Sequence, residues 1–270
     1  MLNDKHQHLM KIHFFKYQGA GNDFILIDNR DQSFKYTGNN TVLQLCNRRF
    51  GIGADGLMLL QNHEDYDFEM LYFNADGNLG SMCGNGGRCI VAFAKHLGII
   101  DTETNFLAVD GPHYAKISEK GDWVDLQMID IDHIGNDGTA YVLNTGSPHY
   151  VQQVSRLEAL DVYKEGKAIR NNSTYKAEGI NVNFVEDQGD HLFVRTFERG
   201  VEDETYACGT GVTAVALSMA QHKHQQGHIK TPVKVLGGDL RIEFDYDGTQ
   251  FRNVFLCGPA AQVFQGDTEV

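Results

Sequence analysis

The sequence predicts an α/β protein assembled from two halves of like design. Three observations carry that prediction. Two cysteines sit in near-identical glycine turns, Ser81-Met82-Cys83-Gly84-Asn85-Gly86-Gly87-Arg88-Cys89 and Tyr206-Ala207-Cys208-Gly209-Thr210-Gly211. Each turn runs into an apolar stretch with helical character, residues 90–94 and 212–217. The order of strands, cysteine turn, long apolar helix and further strands occurs in both halves, which reads as an internal duplication.

In the first half, residues 12–17 and 23–28 alternate as strands around the turn Gly19-Ala20-Gly21-Asn22. Residues 41–49 carry Val42, Leu45 and Cys46 at helical spacing and stop before Gly51. Residues 57–60 and 68–73 read as strands, the second leading into Asn74-Ala75-Asp76-Gly77. After the Cys83 helix, residues 106–109, 113–117 and 123–128 form antiparallel strands. In the second half, strands are predicted at 141–144, 179–185 and 192–197, with a helix over 151–160. The Cys208 helix follows, then strands at 233–236, 240–246 and 251–256.

A chain of 270 residues is long enough for one large domain or two of ordinary size. The formal net charge of −13 argues against a phosphate-backbone partner, so no nucleic acid is expected. Residues 1–10 lack the apolar stretch of a signal peptide, and no apolar run approaches the ~20 residues of a membrane helix. A cytoplasmic protein without a membrane partner is therefore expected. Five cysteines, an odd number without a Cys-x-x-Cys pair, point to free thiols rather than disulfides or zinc. The run His222, His224, His228 reads as a solvated helix end rather than a metal site.

Cys83 and Cys208 are the candidate catalytic residues. A thiol at a helix start faces unpaired N–H groups and the positive dipole end, a setting that favours its thiolate. Gly84, Gly86, Gly87, Gly209 and Gly211 permit close backbone approach to a ligand. The same N–H groups suit a carboxylate. A lone cysteine in such a place is more often a small core residue. Two matched turns instead suggest two thiols facing one carbon, one removing a proton and the other returning one from the opposite side.

The motifs resemble those of the diaminopimelate epimerase family. The resemblance runs in order through Phe15-Lys16-Tyr17-Gln18-Gly19-Ala20-Gly21-Asn22-Asp23-Phe24, Arg49-Phe50-Gly51-Ile52-Gly53-Ala54-Asp55-Gly56 and Asn74-Ala75-Asp76-Gly77. It continues through the Cys83 turn, Gly146-Ser147-Pro148-His149, Asn181-Val182, Glu198-Arg199-Gly200, the Cys208 turn and Cys257-Gly258-Pro259-Ala260. The family implies two pseudo-symmetric domains, each a curved, mostly antiparallel sheet around a central helix. Their expected limits are residues 11–127, joined by the tail 259–270, and residues 128–258. It implies interconversion of LL- and meso-2,6-diaminopimelate, with no cofactor and no metal, in a homodimer. Cys83 and Cys208 become the acid/base pair, and His149 and Glu198 the residues that tune the thiols. Asn22, Asn74, Gly84, Asn85, Asn181, Glu198, Arg199, Gly209 and Thr210 become the substrate-binding set.

The residue chemistry suits a diamino diacid. Arg199 offers a bidentate grip on a distal carboxylate, Glu198 accepts from an ammonium, and asparagine amides serve either group. Ser147, Gly56 and the segment 201–205 depart from the form common in the family. Proline and hydroxyproline racemases also use two cysteines, but carry histidine where this chain has Asn85. A relative in phenazine biosynthesis lacks the cysteine pair. A thiol redox sensor would need a resolving cysteine, and only Cys89 is near Cys83.

Overall fold

The computed structural model describes residues 10–36, 38–80 and 82–270. The leader reading over residues 1–9 and the Ser81 position of the first cysteine turn lie outside the described residues. The first half runs β1 (Lys11–Gly19), β2 (Asn22–Asp28), α1 (Asn39–Cys46), β3 (Gly56–Gln61), β4 (Phe68–Asn74), α2 (Gly84–His96), β5 (Glu103–Ala108), β6 (Gly111–Ile117) and β7 (Trp123–Gln127). Next come β8 (Gly135–Asp137), β9 (Ala140–Asn144), β10 (Pro148–Gln153), a 3-10 turn at Leu157–Ala159, α3 (Val162–Arg170), β11 (Asn181–Asp187) and β12 (Leu192–Glu198). The chain ends with β13 (Asp203–Thr205), α4 (Gly209–His222), β14 (Gly227–Val235), β15 (Gly238–Tyr246), β16 (Phe251–Pro259) and β17 (Ala261–Glu269).

The duplication is visible in the strand pairing. β1 to β7 pair in the sense antiparallel, parallel, antiparallel, parallel, antiparallel, antiparallel. The series β9, β10, β11, β12, β14, β15, β16 follows the same sense. A parallel pair cannot be closed by a tight turn and needs a long crossover. Among the described residues each parallel pair has its own helix in the crossover: α1 for β2–β3, α2 for β4–β5, α3 for β10–β11 and α4 for β12–β14. β7 and β16, the last strands of the two series, pair antiparallel and join the two sheets. β17 returns to pair with β1.

The strand sequences show why each sheet is covered on two faces. Phe24 and Leu26 of β2 and Met58 and Leu60 of β3 join the core around α2, whereas Ile25, Ile27, Leu57 and Leu59 pack with Val42 and Leu45 of α1. Near-continuous apolar runs are what a doubly covered parallel pair requires. In the second half, Val182 and Phe184 of β11 pack with Val162 on the α3 side, while Val185 faces α4. Helices α2 and α4 are buried around most of their circumference, each wrapped by one sheet. Full burial of side chains such as Ile90, Phe93 or Leu217 contributes about 1.5–3 kcal/mol each.

The helix predicted over 151–160 is not formed. Its first part belongs to β10, whose His149 and Val151 are buried while their neighbours are only partly covered. That is a period of two, and pairing with both β9 and β11 settles it. The helix of this crossover starts at Val162 instead, capped by Asp161, whose carboxylate accepts from Lys164 N at 3.0 Å. The histidine run also divides: His222 closes α4 and bonds Tyr141 at 2.9 Å, whereas His228 lies in β14 beside Asp245 at 2.9 Å.

The two buried helices meet at their first residues. A Cβ built on Gly209 would lie 3.4 Å from Gly84 Cα and 2.8 Å from Leu256 Cδ2, and one on Gly84 would lie 2.7 Å from the same Leu256 atom. The helix starts therefore abut backbone to backbone, with the β16 leucine against both. We predict that Gly209→Ala lowers stability by about 1–3 kcal/mol through overpacking. The cost should shrink in a Leu256→Val background, measured by urea denaturation. Strictly additive costs would refute this contact as the cause.

Candidate active site

Because α2 and α4 begin side by side, the residues before them face one another. Cys83 and Cys208 occupy the N-cap positions with extended backbones, and neither side chain caps its helix. A serine or aspartate there would engage the first-turn N–H groups. With cysteine, those groups remain directed at the space in front of the helices. That space is a cleft of about 690 Å³. It is lined by Cys83, Gly84 and Asn85 from one helix start, Cys208, Gly209 and Thr210 from the other, and Asn22, Asn74, Asn181, Glu198 and Arg199 around them. His149 alone among the predicted site residues stands behind this lining.

Around Cys83 the polar contacts form a relay. Arg48 holds Asp55 at 2.6 Å and Asp23 at 2.6 Å, and Lys16 holds Asp23 at 2.7 Å. Asp55 accepts from Asn22 Nδ2 at 2.5 Å, which turns Asn22 Oδ1 toward Cys83 Sγ, 3.9 Å away. Asn85 Nδ2 donates to the same oxygen at 3.2 Å and to Ala207 O at 3.1 Å, tying the α2 start to the segment before Cys208. Asn74 presents its side chain to the cleft from the end of β4.

Around Cys208 the partner is a hydroxyl. Thr210 Oγ1 lies 3.5 Å from Cys208 Sγ and 2.9 Å from His149 Nε2. Asn183 Nδ2 donates to Tyr150 O at 3.0 Å and reaches His149 Nδ1 at 3.1 Å, while its Oδ1 accepts from Thr196 at 2.9 Å. These contacts make Nδ1 the acceptor, so Nε2 carries the proton and donates to Thr210, whose hydroxyl is free to donate to sulfur. Burial pushes His149 down to about 3, with the Arg199 charge adding to it, so the imidazole is neutral at physiological pH. The contacts of His149 lead to the Cys208 side, through Thr210.

Asn181 is engaged with protein. Its Nδ2 donates to Ser147 Oγ at 2.9 Å and Pro148 O at 3.0 Å, and its Oδ1 accepts from Arg199 N at 2.9 Å. Asn181 thereby sets the backbone from which the Arg199 side chain reaches the cleft. Glu198 accepts from Thr205 at 2.9 Å rather than from Arg199. Burial raises its pKa, and the neighbouring Asp55 adds to the rise.

The thiols differ from the sequence expectation. N–H groups of Asn85 and Gly86 favour the Cys83 thiolate, and that of Gly211 favours the Cys208 thiolate, as a helix start should. Desolvation outweighs them: burial pushes Cys208 up to about 12 and raises Cys83, and the Glu198 charge adds to both. All five cysteines are free.

The lining includes residues outside the predicted set, Tyr72 and Asp55 among them. Tyr72 reaches the cleft from β4, and the glycine at position 56 makes room for it, since a Cβ there would sit 2.5 Å from Tyr72 Cε2. Gly56 is thus matched to Tyr72. Asp55 was visible only as a family motif residue. The segment 201–205 makes the turn into β13, where Glu202 has φ of 58°.

No group of three or more His, Cys, Asp or Glu that could hold a metal occurs among the described residues. Among them, no helix is long and apolar enough to cross a membrane.

Comparison with known proteins agrees with this geometry. The fold is similar to that of a phenazine biosynthesis protein of the PhzF family from Bacillus anthracis, with a TM-score of 0.74 at 14% identity, covering 96% of this chain and 99% of the other. It is similar also to a hydroxyproline epimerase from Agrobacterium vitis, with a TM-score of 0.67 at 12% identity, covering 96% and 91%. At such identity these likenesses concern the fold alone. Sequence relatives are far nearer. A diaminopimelate epimerase of Flavobacterium psychrophilum is 49% identical over 253 residues, 93% of this chain and 98% of the relative. That of Aquifex aeolicus is 38% identical over 94% and 96%. The family model described as diaminopimelate epimerase matches residues 14–132 and 141–263. With matches over most of its length, the chain belongs to the diaminopimelate epimerase family of enzymes.

Proposed function

We propose that the protein interconverts LL- and meso-2,6-diaminopimelate by proton transfer between two thiols, without a cofactor. The observation that carries the proposal is the pair of free cysteines at abutting helix starts, facing one cleft. In the resting site one thiol is ionised. Its thiolate takes the proton from the substrate α-carbon while the other thiol delivers a proton to the opposite face, so the two sulfurs exchange protonation states and the net proton count is unchanged. The first-turn N–H groups of α2 and α4 hold the α-carboxylate and stabilise charge that develops into it. Arg199 grips the distal carboxylate, Glu198 receives an ammonium, and Asn22, Asn74 and Asn85 complete the polar shell.

The raised thiol pKa values fit this chemistry. An α-hydrogen of an amino acid is a very weak acid, and a desolvated thiolate is a stronger base toward it than a hydrated one. We extend the proposal to two domains, residues 11–127 with 259–270 and residues 128–258, that close on the substrate and exclude water. We further propose a homodimer, on the family resemblance, and a cytoplasmic location, on the sequence reading.

Cys83→Ala and Cys208→Ala should each abolish epimerisation, and Cys→Ser at either position should be severe. Full activity of either alanine variant would refute the two-base reaction. In deuterium oxide, label should enter the α-position during turnover, and product free of solvent deuterium would exclude exchange through the thiols. Assay of LL-diaminopimelate beside L-proline separates the substrate reading from a proline racemase.

Glu198→Gln should lower the plateau of kcat/KM about ten- to a hundredfold through loss of a charged hydrogen bond. It should also move the acid limb to lower pH. The carboxylate raises both thiols, so its removal lets the first thiolate form at lower pH. An acid limb that stays in place or moves up would contradict that role.

A further inference from the structure

The two helix starts match in backbone but not in charge. Five residues after Cys83 stands Arg88, and five residues after Cys208 stands Thr213. Both side chains are fully buried. Both reach back to the carbonyl of their first-turn glycine, Arg88 Nη1 to Gly84 O at 3.3 Å and Thr213 Oγ1 to Gly209 O at 2.9 Å. Thr213 is neutral and satisfied by that bond. Arg88 brings a full positive charge into the interior.

Arg88 has no carboxylate partner among the described residues. Its remaining acceptors are Asn85 Oδ1 at 3.0 Å and Pro259 O at 3.4 Å, both neutral. The guanidinium also packs against the backbone of Gly258, where a Cβ would lie 3.1 Å from Arg88 Nε. An arginine remains protonated in proteins, so neutralisation does not relieve its burial. A buried ion without a counter-charge costs several kcal/mol. Such a cation invites negative charge, and the place left for it is the α2 start in front, where Cys83 and the first-turn N–H groups face the cleft.

We propose that Arg88 is an electrostatic positioning residue whose buried cation stabilises negative charge at the start of α2, on the Cys83 thiolate or on a carboxylate bound beside it, and so makes Cys83 the more readily ionised thiol. It also fixes the Asn85 amide: with Oδ1 engaged by Arg88, Nδ2 points across to Asn22 and Ala207. The carboxylate part of the proposal rests on the diaminopimelate reading; the thiol part does not.

Several other groups face Cys83. Tyr72 on β4 is held neutral, its pKa raised by burial first and by Cys83 and Asp55 next. Asp55, ahead of β3, is paired with Arg48 at 2.6 Å. Glu198 at the end of β12 raises both Cys83 and Cys208. The thiols flanking the guanidinium, Cys89 and Cys257, are pushed up by burial, Cys89 to about 12, and remain neutral. Arg88 is the charge that lowers Cys83 without a counterpart at the α4 start.

The test is the pH dependence of alkylation by iodoacetamide on the substrate-free protein, with each cysteine resolved by peptide mass spectrometry. In the wild type, Cys83 should react with its midpoint at lower pH than Cys208. In Arg88→Met, the Cys83 rate below that midpoint should fall about tenfold, the effect of one pKa unit, while Cys208 is unmoved. Arg88→Lys, which keeps the charge, should restore the Cys83 profile. Equal midpoints in the wild type, Cys208 ionising first, or an unaltered Cys83 in Arg88→Met would overturn the proposal.

A second comparison leaves Arg88 in place and serves if its variants do not fold. Thermal midpoints are measured near neutral pH for Cys83→Asp against Cys83→Asn, and for Cys208→Asp against Cys208→Asn. The aspartate should be better tolerated relative to asparagine at position 83 than at 208. The reverse order, or no difference, would refute a counter-charge at α2. Both measurements are made without substrate, so a failed diaminopimelate assay and a failed Arg88 proposal are told apart.

Discussion

The close approach of Gly84 and Gly209 is the constraint on which the site depends. Two helices, each enclosed by a sheet, bring their first residues into backbone contact against Leu256. A side chain at either glycine would collide with the tip of Leu256 and touch the facing helix start. Their contact places Cys83 and Cys208 at the front of two dipoles that point into one cleft, so the same N–H groups are available to both thiols and to an anion between them. The β7–β16 pair joins the two sheets directly behind this point, with Leu256 facing Leu126 across the ladder. Position is thereby set by packing of apolar residues, leaving the polar ones free to serve chemistry.

Electrostatics at the helix starts is a contest between burial and the dipole. The dipole and the N–H groups favour thiolates, but desolvation wins and both thiols rise. For the proposed reaction, in which a thiolate takes a proton from carbon, this outcome is useful, because basicity grows as hydration is lost. His149 follows the same logic in reverse. Burial keeps it neutral, so it orients Thr210 through a defined tautomer instead of offering a charge to Cys208. A protonated imidazole there would have drawn the thiolate into an ion pair and weakened it as a base.

Much of the site was legible because its residues stand in punctuated motifs. The cysteine turns, the Asn22 turn and the Glu198-Arg199 corner each end a strand or begin a helix, and glycines mark those places in the sequence. What escaped lay inside elements. Tyr72 hides in a strand whose alternation explains it as core, and only the missing side chain at Gly56 shows that its ring has a reserved place. Asn183 and Thr196 are buried polar residues on β11 and β12, and their role appears only once the strands are paired and Asn183 lies between Thr196 and His149 of β10. The predicted helix over 151–160 failed for a related reason. Its apolar residues fit either period over so short a span, and tertiary pairing with β9 and β11 chose the strand.

The duplication explains the architecture, and the departures from it explain how the two halves divide the chemistry. Equivalent positions carry Asn85 and Thr210 beside the thiols, and Arg88 and Thr213 behind them. On the first side, amides and a buried cation surround Cys83; on the second, hydroxyls and a neutral histidine surround Cys208. A symmetric pair of thiols would share one proton without preference. Unlike surroundings give that proton a preferred resting place, as the proposed two-base reaction requires if one thiol is to be ready as base and the other as acid. The proposed reaction reverses, however, so in it the preference has to be small enough for the opposite state to form in each return cycle. Neutral hydroxyl donors on one side, set against a cation held one turn behind the other thiol, bias the pair without locking it.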